Sequence, residues 1–114
     1  MQQINEQLIP KSRKGIKTMT TIFCITEWND KMEQTRSEHF MSLNGVANWL
    51  TKLKPINNQF KDTTGIYDIT AENLEKVLNV ATALSMGALF SIKQDICGFE
   101  FETRFTLSTI EVND

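Results

Sequence analysis

The sequence contains few of the residues that build catalytic and metal sites. Its 114 residues include one histidine and two cysteines. Cys24 and Cys97 match no zinc-ligand spacing, and the chain has no phosphate-binding loop, zinc-protease motif or nucleophile-elbow motif. A site built from several histidines or cysteines is therefore excluded, and we expect no resident metal and no cofactor. An enzyme would have to use carboxylates alone, so we expect a protein that is not an enzyme. Whether the two cysteines form a disulfide is left open.

Long hydrophobic runs are absent as well. No apolar run approaches the roughly 18 residues that cross a membrane, and the first residues lack the apolar core of a secretory signal. These absences predict a cytoplasmic protein that makes no contact with a membrane. Apolar residues make up 40% of the chain and charged residues 23%, which is typical of a globular protein. The length of 114 residues is that of one ordinary domain.

The net charge of −2 is distributed unevenly along the chain. Residues 1–19 hold four basic residues and one acid, whereas residues 20–114 hold eight basic residues and thirteen acids. Residues 1–18 also lack sustained periodicity, so we predict a flexible basic N-terminal arm before a single α+β domain over residues 19–114. The acidic domain makes nucleic acid an unfavourable partner, because phosphate binding needs clustered Lys and Arg. The basic residues of the arm are Lys11, Arg13, Lys14 and Lys17.

The periodicity of apolar residues predicts four strands and two helices. Ser42 and Thr70 are good N-caps, and each is followed by apolar residues at helical spacing. The β-β-α-α-β-β order predicts a two-layer α+β sandwich, in which a four-stranded antiparallel sheet packs against two helices on one face. The strands are expected at residues 20–28, 33–41, 88–93 and 99–107.

The first and last predicted strands depart from a simple alternation of apolar and polar residues. Strand 20–28 is apolar at both parities, so its second face is expected to be covered by the arm, by another chain or by the connection 55–69. That connection is predicted to be a long loop. The apolar parity of the last strand changes by Ile110, which predicts a bulge or bend near Ser108.

The last predicted strand and the long connection contain the candidate partner-binding residues. In strand 99–107 the phenylalanines share one face and are expected in the core. The charged residues share the other face, which is either a solvated surface or a docking surface for a basic partner. The connection 55–69 is either functional or held by its own aromatic residues. The candidates are Glu100, Glu102 and Arg104 in the first region, with Asp95 shortly before it, and Phe60 and Tyr67 in the second.

Several other polar residues are better explained by local structure than by a site. Asp62, Asp68 and Glu72 could approach one another and bind a hard cation, but their spacing is not that of an EF-hand. Asp68 and Glu72 more simply complement the N-terminus of the second helix. The segment DTTG, residues 62–65, is typical of a turn. His39 is the sole histidine of the sequence and is expected either at the surface or with its hydrogen bonds satisfied.

The leading functional hypothesis is a small non-enzymatic interaction protein that binds a macromolecular partner. An accessory, inhibitor or immunity-type protein of a bacterium or mobile element fits this description. One alternative is a small nucleic-acid-associated protein that uses the basic arm, and another is a carboxylate-dependent metal enzyme. A protein partner is expected, and a homodimer through an apolar sheet face or edge is a further hypothesis.

Overall fold

The computed structural model describes residues 19–83 and 87–113. The predicted basic arm, with Lys11, Arg13, Lys14 and Lys17, lies outside the described residues. The elements, in chain order, are β1 (Met19–Trp28), β2 (Gln34–Phe40), α1 (Leu43–Thr51), a 3-10 turn (Ile56–Asn58), β3 (Gln59–Asp62), β4 (Gly65–Asp68), α2 (Ala71–Ala83), β5 (Ala88–Ile96) and β6 (Phe99–Asn113).

All six described strands join one antiparallel sheet, in the order β2-β1-β6-β5-β3-β4. The prediction of a four-stranded sheet is therefore wrong, and only the mixed α+β class holds. The additional strands, β3 and β4, lie in the segment 55–69 that the sequence predicts as a loop. Each is four residues long, which is too short for an alternating pattern to be recognised. Because this segment continues the sheet, it does not lie over the second face of β1.

The predicted turn at residues 62–65 joins β3 to β4. Asp62 lies opposite Gly65 in the strand register. The Oδ1 atom of Asp62 accepts hydrogen bonds from the backbone N–H groups of Thr64, at 2.8 Å, and of Gly65, at 3.1 Å. An aspartate that binds backbone N–H groups in this way stabilises a tight turn. The turn interpretation of the DTTG segment is therefore confirmed.

Both helices begin at the predicted N-caps. The Ser42 hydroxyl accepts from the backbone N–H of Gly45 at 3.1 Å before α1, and the Thr70 hydroxyl accepts from that of Asn73 at 3.1 Å before α2. Each bond satisfies one of the free N–H groups in the first turn of a helix.

The two helices pack on the same face of the sheet. On that face Ile25 of β1 lies opposite Leu107 of β6, and Phe105 of β6 lies opposite Phe90 of β5. The ring of Phe90 is 5.8 Å from that of Phe105 and 5.2 Å from that of Phe60. These side chains are buried in one cluster with apolar residues of both helices. The helical members of that cluster are Val46, Ala47, Leu50, Leu74, Leu78 and Ala81.

The face of the sheet opposite the helices, here called the open face, receives the apolar residues of the second parity. The register of β1 and β6 is continuous from Met19 to Trp28, so the bulge predicted near Ser108 does not occur. Ile110 lies opposite Ile22 on the open face. Within this regular strand, the apolar residues therefore move from the helix side of the sheet to the open face.

The two cysteines are free thiols that lie far apart. Cys24 is buried and lies opposite Ser108 in the register of β1 and β6. Cys97 is exposed in the turn that precedes β6. At about 3.3 Å of rise per residue, the length of β6 between these points separates them by roughly 30 Å. A disulfide between Cys24 and Cys97 within one chain is therefore excluded.

Candidate protein-binding hairpin

A two-residue turn joins β5 to β6. Cys97 and Gly98 have φ values of 54° and 85°, as a type I′ turn requires of both central residues. Ile96 and Phe99 form the pair that closes the turn. The Asp95 carboxylate accepts a hydrogen bond of 3.0 Å from the backbone N–H of Gly98. The sequence thus builds a tight, well-defined hairpin at this end of the sheet.

The end of this hairpin extends past the strands on either side. The register of β1 with β6 stops at Trp28 opposite Arg104, and the register of β3 with β5 consists of Lys61 opposite Ser91. Residues 93–102, here called the hairpin tip, therefore form a two-stranded ribbon. Among the described residues, this ribbon pairs with one other part of the backbone, through an isolated bridge between Pro55 and Gln94.

One face of the hairpin tip is apolar and exposed. Ile96, Phe99 and Phe101 share the parity of the core residue Phe105, yet their exposed fractions are 52%, 69% and 50%. The prediction that the whole phenylalanine face of this strand lies in the core is therefore wrong for Phe99 and Phe101. The reason is length: 15 residues of β6 span about 50 Å, whereas the 13 residues of α2 span about 20 Å.

The other face of the hairpin tip is acidic. Asp95, Glu100 and Glu102 alternate with the apolar residues and lie on the open face. The Ser91 hydroxyl donates to Glu102 at 2.7 Å, and the Lys93 ammonium lies 4.0 Å from Glu100. Both members of that ion pair are more than half exposed, so it neutralises the face only weakly.

Arg104 lies at the base of the hairpin tip and contacts the turn between β1 and β2. Its Nη1 atom donates to the Sδ atom of Met32 at 3.1 Å, and it forms no ion pair with any side chain in the described part of the chain. The structure thus brings the candidates Asp95, Glu100, Glu102 and Arg104 onto one face of one hairpin.

The remaining two candidates lie elsewhere. Phe60 is 1% exposed and packs between Tyr67 and Phe90 in the core. Its side chain offers no surface to a partner. The segment that contains it is the strand β3 of the sheet and not the loop that the sequence predicts. Tyr67 of β4 is half-buried on the helix side, with its hydroxyl hydrogen bonded to that of Thr64. Phe60 and Tyr67 therefore do not join the acidic candidates.

A cleft of about 420 Å³ lies between α2, the turn after β3 and the beginning of β5. Its walls are mainly apolar, and the side chains of Val80 and Leu89 that line it are largely exposed. Sequence patterns do not indicate this cleft, because it forms only when a turn, a helix and a strand pack together. The lining residues are Asp62, Thr63, Thr64, Tyr67, Asn73, Lys76, Val77, Val80, Ala81, Gly87, Ala88 and Leu89.

The described residues assemble no metal centre. Within those residues, no three His, Cys, Asp or Glu side chains lie close enough to hold a metal ion. Asp62, one of the carboxylates considered for a cation, is instead engaged in its own turn. His39 is exposed on β2, opposite Cys24, and burial raises the pKa of the Cys24 thiol.

Comparisons with protein-family models, with curated proteins and with solved structures gave no match. In the described ranges, no helix has the length and apolar character needed to cross a membrane. The function of the chain is therefore inferred from its own surfaces, of which the hairpin tip combines exposed apolar and charged residues on a defined backbone.

Proposed function

We propose that this protein is a non-enzymatic binding module whose partner is another protein, and that the partner docks on the hairpin tip. The observation that supports this proposal is the exposure of Ile96, Phe99 and Phe101 together at the end of a hairpin with a tight turn. Clustered exposed apolar side chains are typical of interaction surfaces on folded proteins. The proposal retains Asp95, Glu100, Glu102 and Arg104 as contact residues and omits Phe60.

The size and chemistry of the hairpin tip suit a docking element. Aromatic side chains are enriched among the residues that dominate binding energy at interfaces, and full burial of one phenylalanine contributes about 1.5–3 kcal/mol. Two phenylalanines and one isoleucine on a preorganised turn can therefore provide the apolar centre of an interface. The carboxylates on the opposite side supply a polar rim.

Charge favours a partner with a basic surface. Asp95, Glu100 and Glu102 outnumber the nearby Lys93 and Arg104, so the open face of the hairpin attracts cationic groups and repels phosphate. An inhibitor, accessory or immunity-type protein of a bacterium or mobile element is one form of this proposal. The cytoplasm stays the compartment expected from the sequence.

Selection from a displayed library of random peptides tests the proposal even though the partner is unidentified. Peptides that bind the full chain are expected to lose binding to a Phe99→Ser, Phe101→Ser double variant. The matched control is an Ile66→Ser, Met41→Ser double variant, because Ile66 and Met41 are exposed apolar residues outside the hairpin. Equal loss of binding in both variants, or no loss in either, would contradict the proposal.

A further inference from the structure

The strand edge next to Glu100 and Glu102 has no neighbour among the described residues. We propose that the partner contributes an extended strand that pairs with this edge of β6, with basic side chains on the open face and apolar side chains on the other. This inference rests on the proposed function and specifies how the hairpin tip holds its partner. The mode is strand addition, in which backbone hydrogen bonds give affinity and alternate side chains give specificity.

The direction of the backbone groups follows from the turn. Ile96 and Phe99 close a two-residue turn, so they form a hydrogen-bonded pair. Such pairs alternate along an antiparallel strand, so Phe101 also directs its N–H and C=O groups to β5, whereas Glu100 and Glu102 direct theirs away from it.

On that outer side β1 does not reach the tip. Arg104 is the last residue of β6 that pairs with β1. In the described part of the chain the backbone groups of Glu100 and Glu102 on this side have no strand partner. Unpaired strand edges bind other strands readily, so these two residues present the backbone of a docking site.

The side chains select the kind of strand that fits. Phe99 and Phe101 flank the edge on one face, and Glu100 and Glu102 flank it on the other. In a pair of strands, residues directly opposite each other interact, and opposite charges stabilise the pair. A strand in which Lys or Arg alternates with apolar residues therefore matches both faces at once.

A second copy of this chain matches poorly. In an antiparallel pair, residues with outward backbone groups lie opposite each other, and at this edge they are Glu100 and Glu102. Two copies would therefore place glutamate opposite glutamate, and like charges in that position destabilise the pair. The carboxylates thus disfavour self-association through this edge and favour a basic partner strand.

The test uses a blocked peptide of alternating lysine and valine as the probe and amide hydrogen exchange of the full chain as the readout. We expect the amides of Glu100 and Glu102 to exchange at least about tenfold more slowly when the peptide is bound. A peptide of the same sequence that is N-methylated at its lysine residues is the matched control, because the nitrogens of those residues face the edge when lysine lies opposite Glu100 and Glu102, and it should give no such protection. A Glu100→Lys, Glu102→Lys variant should instead prefer a peptide of alternating glutamate and valine.

The outcomes separate strand pairing from the more general proposal. If library-selected peptides require Phe99 and Phe101 but neither they nor the lysine–valine peptide protects the two amides, strand addition is overturned and the hairpin tip remains the docking surface. If the peptide that is N-methylated at its lysine residues protects as well as the parent peptide, strand addition is likewise overturned. If protection appears without peptide and increases with protein concentration, the occupant is a second copy and the assignment of a basic partner is wrong.

Discussion

Phe99 lies directly opposite Ile96 across the turn between β5 and β6, and both side chains remain exposed on the face that elsewhere forms the core. The pair lies past the helices that cover Phe105 further along the same strand. A two-residue turn fixes the relative position of the pair that closes it, so a partner that binds this pair loses less entropy in ordering the surface. Changes to this pair and its neighbours should therefore alter binding more than folding.

Reversal of charge on the acidic face should separate binding from folding. A Glu100→Lys, Glu102→Lys variant is expected to lose binding to basic peptides, while its free energy of unfolding changes by no more than about 0.5 kcal/mol. Both side chains are exposed and make only surface contacts. Thermal denaturation and peptide titration of the same samples measure the two effects. A large loss of stability would show that these carboxylates are structural.

Replacement of Phe60 should show the opposite behaviour. Phe60 is buried in the core, so Phe60→Ala is expected to lower the free energy of unfolding by about 3–5 kcal/mol. Phe101→Ser, at an exposed position, should lower it by less than about 1 kcal/mol. Urea denaturation of both variants measures the difference. Comparable losses would contradict the assignment of Phe60 to the core and Phe101 to the surface.

The turn at the end of the hairpin can be made more stable. Cys97 adopts a positive φ of 54°, a conformation that asparagine tolerates better than cysteine, and Asn-Gly is a preferred sequence for a type I′ turn. Cys97→Asn is therefore expected to raise the free energy of unfolding by about 0.5–1 kcal/mol. Gly98→Ala is the control and should lower it, because Gly98 has a φ of 85°. A Cys97→Asn variant no more stable than the parent would argue against this turn.

The two thiols should differ in reactivity. Burial raises the pKa of the Cys24 thiol above its ordinary value of 9.0, and the thiolate is the reactive form. At neutral pH a thiol-specific reagent should therefore modify the exposed Cys97 quickly and Cys24 only slowly. Urea should remove the difference. The raised pKa also makes stability depend on pH. Below the ordinary pKa the buried Cys24 thiol favours the folded state, and this contribution to the free energy of unfolding is lost as the pH rises through the raised pKa of the folded state. Equal modification rates in the native protein would contradict the burial of Cys24.

Sequence patterns predict part of this fold because local chemistry determines that part. The caps Ser42 and Thr70 and the turn at Asp62 each depend on hydrogen bonds within a few residues. The strand β3 depends on pairing with β5, and β4 depends on pairing with β3; both are too short to show a period of their own. Their existence is therefore a tertiary effect that local sequence does not reveal.

The candidate site shows the same limit. The acidic residues Glu100 and Glu102 are recognisable from alternation alone, because alternation determines which face they share. Alternation does not show where the covering helices end, so Phe99 and Phe101 have the pattern of core residues and lie at the surface. The difference in length between a strand of 15 residues and a helix of 13 residues is the signal that would have separated them.

The most direct test of docking on the hairpin tip is to map a bound peptide on the isotopically labelled full chain by NMR. A peptide from the displayed library is titrated, and backbone amide shifts are followed for every assigned residue. We predict that the largest shifts fall in the hairpin tip, residues 93–102. Largest shifts at Asn73, Val77 and Val80, which line the cleft beside α2, would contradict docking on the hairpin.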